Sequence, residues 1–287
     1  MKYLKLIRVK HYIKNLLVFA ALACSGQILD TSKLVPAVLG FAAFCAVASA
    51  VYIINDIRDR KKDANHPTKC KRPIASGAVS VGSACVLLGI LIVIAVVCNY
   101  FAFNWVSTVL LAVYFVINVG YSFGLKDIPI IDITILVAGF LIRVLYGALI
   151  TQITISHWLY LTVIAAAFYF SLGKRRNELK VSEANNETRK VLKFYPERFL
   201  DKNMYMCLAL ANVFYALWAT NDKTIEMYNT ELLIFTVPIV LLITMKYSLN
   251  VEGESDGDPV EVLLHDKLLM VLCGLYLLAM FSILYLF

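Results

Sequence analysis

Residues Leu34–Asp63 read LVPAVLGFAAFCAVASAVYIINDIRDRKKD, a long apolar run that ends abruptly in acids and bases. An apolar stretch of ~20 residues at ~1.5 Å each covers the hydrocarbon core of a bilayer. A helix is expected there, because in lipid the backbone has to satisfy its own hydrogen bonds. Asn55 and Asp56 then stand where that helix meets water. Composition extends this reading to the whole chain of 287 residues, with 60% hydrophobic and only 16% charged residues and a mean hydropathy of +0.74. These values lie outside the range of soluble domains and predict an all-α integral membrane protein, one domain over 1–287.

Apolar segments long enough to cross occur at about nine places. They are Tyr12–Leu29, Leu34–Ile57, Val81–Phe101, Trp105–Tyr121, Ile130–Ile150, Trp158–Leu172, Met204–Ala219, Leu232–Met245 and Leu268–Phe287. Alternating them sorts the basic residues. One side receives Lys2, Lys5, Arg8, Lys10, Lys14, Arg58 through Arg72, Lys126, Lys174 through Lys202, Lys246 and Lys267; the other receives Lys33 and Lys223. Positive charge marks the cytoplasmic side, so the N-terminus is expected inside, in a cell (plasma or inner) membrane. Trp105, Trp158 and Trp218 fall at the outer ends of spans, as an interfacial aromatic belt requires. The opening MKYLKLIRVKHYIKN is too charged for a cleaved signal peptide and reads as an amphipathic approach to the first span. The net charge of +7 follows from this topology and from anionic inner-leaflet lipid, and gives no reason to expect a nucleic-acid partner. The seven cysteines show no CxxC spacing and read as small buried packing residues.

Polar residues collect at the cytoplasmic exits of the even-numbered spans. The four clusters are NDIRDRKKDANHPTKCKRPIASG (Asn55–Gly77), YSFGLKDIPIID (Tyr121–Asp132), GKRRNELK (Gly173–Lys180) and DGDPVEVLLHD (Asp256–Asp266). Their convergence on one face predicts a cavity open to the cytoplasm. On a helix, Asp56, Asp59 and Asp63 share one narrow face with Asn55 nearby. Carboxylates crowded at the edge of a low-dielectric region repel, and two arrangements relieve them. One is a solvated helix end paired with Arg58, Arg60 and Lys62. The other is Mg²⁺, which prefers hard oxygen ligands and bridges to substrate phosphates. His66, Lys69, Lys71 and Arg72 follow on a proline-stiffened loop, and carboxylates for metal beside cations for phosphate suit a metal–diphosphate substrate.

The other clusters add candidates. Asp132 opens the fifth span, either as a ligand or hydroxyl partner or as an acid stabilised by the helix dipole. Arg143 lies deeper in that span, between Gly139 and Gly147, and either pairs with an acid or carbonyl between helices or meets a lipid phosphate. Lys174 and Glu178 stand four apart with Arg175 beside Lys174, as phosphate ligands or as a basic exit that sets topology. Asp258, Glu261 and Asp266 either neutralise basic loops or hold ribose hydroxyls.

At these residues the chain resembles the UbiA superfamily of intramembrane transferases. NDIRDRKKD fits NDxxDxxxD at Asn55, Asp56, Asp59 and Asp63, and YSFGLKDIPIID fits the second motif at Tyr121, Ser122, Lys126 and Asp132. Within the superfamily it is similar to the decaprenyl-phosphate phosphoribosyltransferases, through RVKHYIKNLLVFA, HPTKCKRPIASG, YSFGLK with Asp132, and GKRRNEL. It departs at Val9, where relatives carry proline, and at Tyr12, where an indole is common. A single Asp132 stands where aromatic prenyltransferases carry DxxxD.

The resemblance implies a UbiA-like helical bundle and Mg²⁺-dependent transfer of 5-phosphoribose from phosphoribosyl pyrophosphate (PRPP) to a polyprenyl phosphate, for arabinan-type envelope precursors. Transfer of a polyprenyl group to an aromatic acceptor is the alternative. It implies Asp56 and Asp59 on metal and pyrophosphate, with Asp63 in support and Asn55 beside them. Lys69, Arg72, Lys126, Lys174 and Arg175 are implied on phosphates with Glu178 alongside, Tyr121 and Asp132 on the ribose, and Lys14 and Asn15 on the lipid phosphate.

Overall fold

The computed structural model describes residues 2–66, 69–102, 105–185, 190–253 and 259–286, without the side chains of 181–185. Every regular element among them is helical. In chain order the α-helices are α1 Lys2–Leu6, α2 Ala20–Ala23, α3 Thr31–Ala64, α4 Val81–Phe101, α5 Trp105–Ser122, α6 Ile131–Thr151, α7 His157–Asn185, α8 Glu197–Ala219, α9 Asp222–Tyr228, α10 Thr236–Glu252, α11 Pro259–His265 and α12 Lys267–Tyr285. Short 3₁₀ turns link several of them. Caps are local and readable: Asp30 accepts the Ser32 amide at 2.9 Å, the Ser80 hydroxyl accepts Ser83 at 3.2 Å, and Asp266 accepts Leu269 at 2.8 Å.

Among the described residues six helices are long and apolar enough to cross a membrane: Thr31–Ala64, Val81–Phe101, Trp105–Ser122, Ile131–Thr151, Leu232–Glu252 and Lys267–Tyr285. Three of the expected spans are not among them. The sixth and seventh lie in α7 and α8, whose apolar runs continue into the charged turns GKRRNELK and ERFLDK. The first departs from expectation in kind, because Val9–Phe19 winds as a 3₁₀ helix before the short α2.

The chain forms two compact units. Unit one holds residues 1–23, 27–125 and 142–154; unit two holds 24–26, 126–141 and 155–287. In unit one α3 packs against α4, α5 and the 3₁₀ segment. Small residues let these backbones approach: Ala43, Ala46, Ala48 and Ala50 are all buried. At Gly147 a Cβ would lie 1.8 Å from the Val18 carbonyl oxygen, so only glycine admits the 3₁₀ segment there. In unit two α7 packs along α8, and α10 meets α8 and α12. Tyr169, Leu172, Leu200, Met204 and Val251 form one cluster and Tyr215, Trp218 and Leu233 another.

Candidate active site

In unit one the last turns of α3 carry the acids. Asp56 and Asp63 are 2% and 4% exposed, while Asp59 and Asn55 are half-buried. Burying carboxylates is costly unless they are paired, and two arginines supply the pairs. Arg72 Nη1 donates to Asp63 Oδ2 at 2.7 Å and to Asp56 Oδ1 at 3.2 Å. Arg8 Nη2 donates to the same Asp56 oxygen at 2.7 Å. The loop after α3 delivers Arg72: Cys70 N–H bonds the His66 carbonyl, and Arg72 N–H bonds the Lys69 carbonyl at 2.9 Å. Arg8 has a left-handed backbone, φ 55°, and lies over the Tyr52 ring at 4.5 Å. Arg58, one of the three cations of the solvated alternative, lies over the Phe123 ring at 4.6 Å.

Deeper in unit one, Arg143 resolves the choice left open for it. Its Nε donates to Asn15 Oδ1 at 2.8 Å and its Nη2 to the Tyr114 hydroxyl at 3.0 Å, with the guanidinium 5.0 Å from the Phe44 and Tyr114 ring centres. Two neutral acceptors and two π faces stabilise the buried charge. Asn15 is thereby committed. Asn15, expected on the lipid phosphate, is 1% exposed and also donates to Cys45 Sγ at 3.2 Å, so its amide ties the 3₁₀ segment to α3 and α6. Lys14 beside it is half-buried. Tyr12 and Ser49 share a hydrogen bond of 2.9 Å, and Ser49 also donates to the Ile7 carbonyl.

In unit two Asp132, in the first turn of α6, is fully buried with Arg175 of α7. Arg175 Nε donates to Asp132 Oδ2 at 2.5 Å, and its Nη1 to Glu178 at 2.6 Å. The other Asp132 oxygen accepts the Tyr195 hydroxyl at 2.6 Å. Arg175, expected on a phosphate, pairs in this structure with Asp132 and Glu178, and Asp132, expected on the ribose, accepts from Arg175 and Tyr195. Burial, followed by the hydrogen bond to Asp132, pushes the Tyr195 hydroxyl up to about 12, so it remains a donor throughout the neutral range. Lys126 is half-buried in the 3₁₀ turn Leu125–Asp127, and Lys174 is half-buried on α7.

Tyr121 is half-buried near the end of α5, and Lys69 is exposed in the 3₁₀ turn Lys69–Lys71. In the fourth cluster Asp266 caps α12 and pairs with Lys246 at 2.8 Å, and Glu261 pairs with His265 at 3.4 Å. Both serve the local helices; Asp258 lies outside the described residues.

The chain and its fold are similar to known proteins. Residues 16–219 match the UbiA prenyltransferase family. The chain belongs to that family. A decaprenyl-phosphate phosphoribosyltransferase of Mycolicibacterium smegmatis is 34% identical over 94% of this chain and 88% of its own length. One of Corynebacterium glutamicum is 32% identical over 94% of this chain and 82% of its own. Among solved structures, a UbiA homologue from Archaeoglobus fulgidus bound to GPP and Mg²⁺ superposes with a TM-score of 0.74 at 20% identity, covering 99% of both chains. At that identity the likeness shows the shared helical fold.

Two partners of the acids, one in each unit, were not singled out by sequence. Arg8 begins RVKHYIKN, but only its tertiary pairing with Asp56 separates it from the other basic residues around it. Tyr195 sits in KFYPERF, where no motif marks it.

Proposed function

We propose that the chain transfers the 5-phosphoribosyl group of PRPP to the phosphate of a polyprenyl lipid and releases pyrophosphate. The observation that carries this reading is the acid–arginine set of unit one, in a chain more than 30% identical to phosphoribosyltransferases along nearly all its length. The donor set suits Mg²⁺, with carboxylate oxygens of Asp56, Asp59 and Asp63 one or two turns apart on α3. Among the described residues no three His, Cys, Asp or Glu side chains form a ready cage. Asp56 and Asp59, with Asp63 beside them, are the residues that would hold the ion. When bound, Mg²⁺ would neutralise charge on the departing pyrophosphate.

The protein's own groups account for the rest. Arg72 and Arg8 hold the carboxylates while no phosphate is present and can turn to phosphate oxygens, their better bidentate partners, when the donor arrives. Lys69, Lys126 and Lys174 add charge for the 5-phosphate and pyrophosphate, Lys14 faces the lipid phosphate, and Tyr121 and Asn55 meet the donor. A lipid phosphate oxygen forms the bond to ribose C1 as the C1–oxygen bond to pyrophosphate breaks. The attacking oxygen is already anionic, so alignment and leaving-group stabilisation carry the rate and no strong base is needed.

The chain is read as one catalytic domain of nine crossings, N-terminus and active site cytoplasmic, in a plasma or inner membrane. The family match, which runs through both units, and the distribution of Lys and Arg support this.

The test uses purified protein with Mg²⁺, a polyprenyl phosphate and radiolabelled PRPP. Label is expected in the lipid phase and is expected to vanish with EDTA or Asp56→Ala. Turnover instead of a polyprenyl diphosphate with an aromatic acceptor would replace this reading.

A further inference from the structure

The turn that leads from Lys126 into α6 is held in an unfavourable backbone. Ile130 has φ +68°, in the left-handed region that a β-branched side chain seldom enters. Pro129 followed by a positive-φ residue has the order of a type II turn, whose third position favours glycine. The Ile130 side chain is 51% exposed, so packing does not compensate the strain. A hydrogen bond does. The Ile130 amide donates to the Tyr195 hydroxyl at 2.5 Å, and that hydroxyl donates in turn to Asp132 at 2.6 Å. Arg175 fixes the far oxygen of Asp132, and the Tyr195 ring is stacked on Phe199 with centroids 6.1 Å apart. One hydroxyl therefore joins the strained turn to the start of α6, and Asp132 carries the link on to Arg175 of α7.

We infer that Tyr195 is a positioning residue whose hydroxyl latches the Ile130 turn and so sets where Lys126 meets substrate phosphate. The substrate half of this inference rests on the function proposed above; the latch itself does not. Strained backbone persists only where its surroundings over-determine it; here Thr134 donates its amide and hydroxyl to the Ile130 carbonyl, and Tyr195, backed by Asp132 and Arg175, holds the Ile130 amide.

The experiment compares full-length wild type, Tyr195→Phe, Ile130→Gly and the double variant, reconstituted in lipid nanodiscs. Phenylalanine keeps the ring stack and removes only the hydroxyl. Hydrogen exchange of the Ile130 amide is expected to quicken about tenfold in Tyr195→Phe. In kinetics, Tyr195→Phe should raise KM for PRPP about tenfold with kcat within about twofold. Glycine holds the positive φ without help, so the double variant should recover wild-type KM. Unchanged exchange in Tyr195→Phe overturns the latch, whatever the substrate is. If kcat falls with thermal stability while KM stays constant, or if Ile130→Gly gives no rescue, the hydroxyl is structural only and the positioning role is overturned. Wild type that transfers no phosphoribosyl group overturns the proposed function, and the exchange measurement still decides the latch.

Discussion

The acids around Asp56 and around Asp132 are built from the same groups and are held in opposite ways. In unit one two guanidinium groups share a single oxygen of Asp56, and both arginines keep about a quarter of their side-chain surface open, 21% for Arg8 and 27% for Arg72. In unit two each oxygen of Asp132 has its own donor, and both Asp132 and Arg175 are fully buried. An over-subscribed, partly solvated pair can exchange partners at little cost; a closed, dry one cannot. The first arrangement suits a site that releases its internal counter-ions to a ligand, and the second a framework.

Substitutions should separate the two. Asp56→Asn is expected to lower transfer about 1,000-fold, the scale of losing a principal electrostatic contact in a transition state. Its thermal midpoint should stay near wild type, because the arginines it leaves reach solvent; a large fall in midpoint would make Asp56 a framework residue too. Arg175→Ala should do the reverse, destabilising the protein by about 3 kcal/mol by stranding a buried carboxylate, as read by thermal unfolding in detergent. Gly147→Ala forces the 3₁₀ segment away from α6 and should cost about 2 kcal/mol in the same assay. Arg8→Lys keeps the charge and loses the fork, so PRPP affinity should fall about tenfold with little change in stability.

The smallest effect is on pH. The folded Tyr195 hydroxyl, raised to about 12 from an ordinary value near 10, favours the folded state fully below pH 10 and loses that contribution as pH rises toward 12. An unfolding series over that window should flatten in Tyr195→Phe. At the acid end the Lys246 ammonium beside Asp266, with the Leu269 amide, holds its carboxyl at about 2, so that contribution is present above pH 4 and lost as pH falls toward 2. Asp266→Asn should remove this acid-side slope.

The same contrast explains what was readable beforehand. Asp56, Asp59 and Asp63 announce themselves because helical spacing alone puts them on one face, whatever the rest of the chain does. Asp132 was legible as an unusual acid at the start of a membrane helix, but its partners were not, since Arg175 and Tyr195 lie 43 and 63 residues away in sequence. Lys174, Arg175 and Glu178 looked alike on paper. Burial separates them, and burial depends on which helix covers α7. The 3₁₀ course of Val9–Phe19 was unreadable for a similar reason: the segment is apolar enough for an α-helix, and its course depends on Gly147 and on the Arg143–Asn15 bond, both more than a hundred residues on.

By itself the sequence determined what depends on local chemistry. Apolar length made the chain a membrane protein of helices, and helical periodicity gathered the acids of α3. Only the tertiary structure decided which charges pair with one another and how deeply each pair is buried. That choice is made by the cost of leaving a charge unpaired where water is excluded, and exclusion of water is a property of packed helices, not of any one segment.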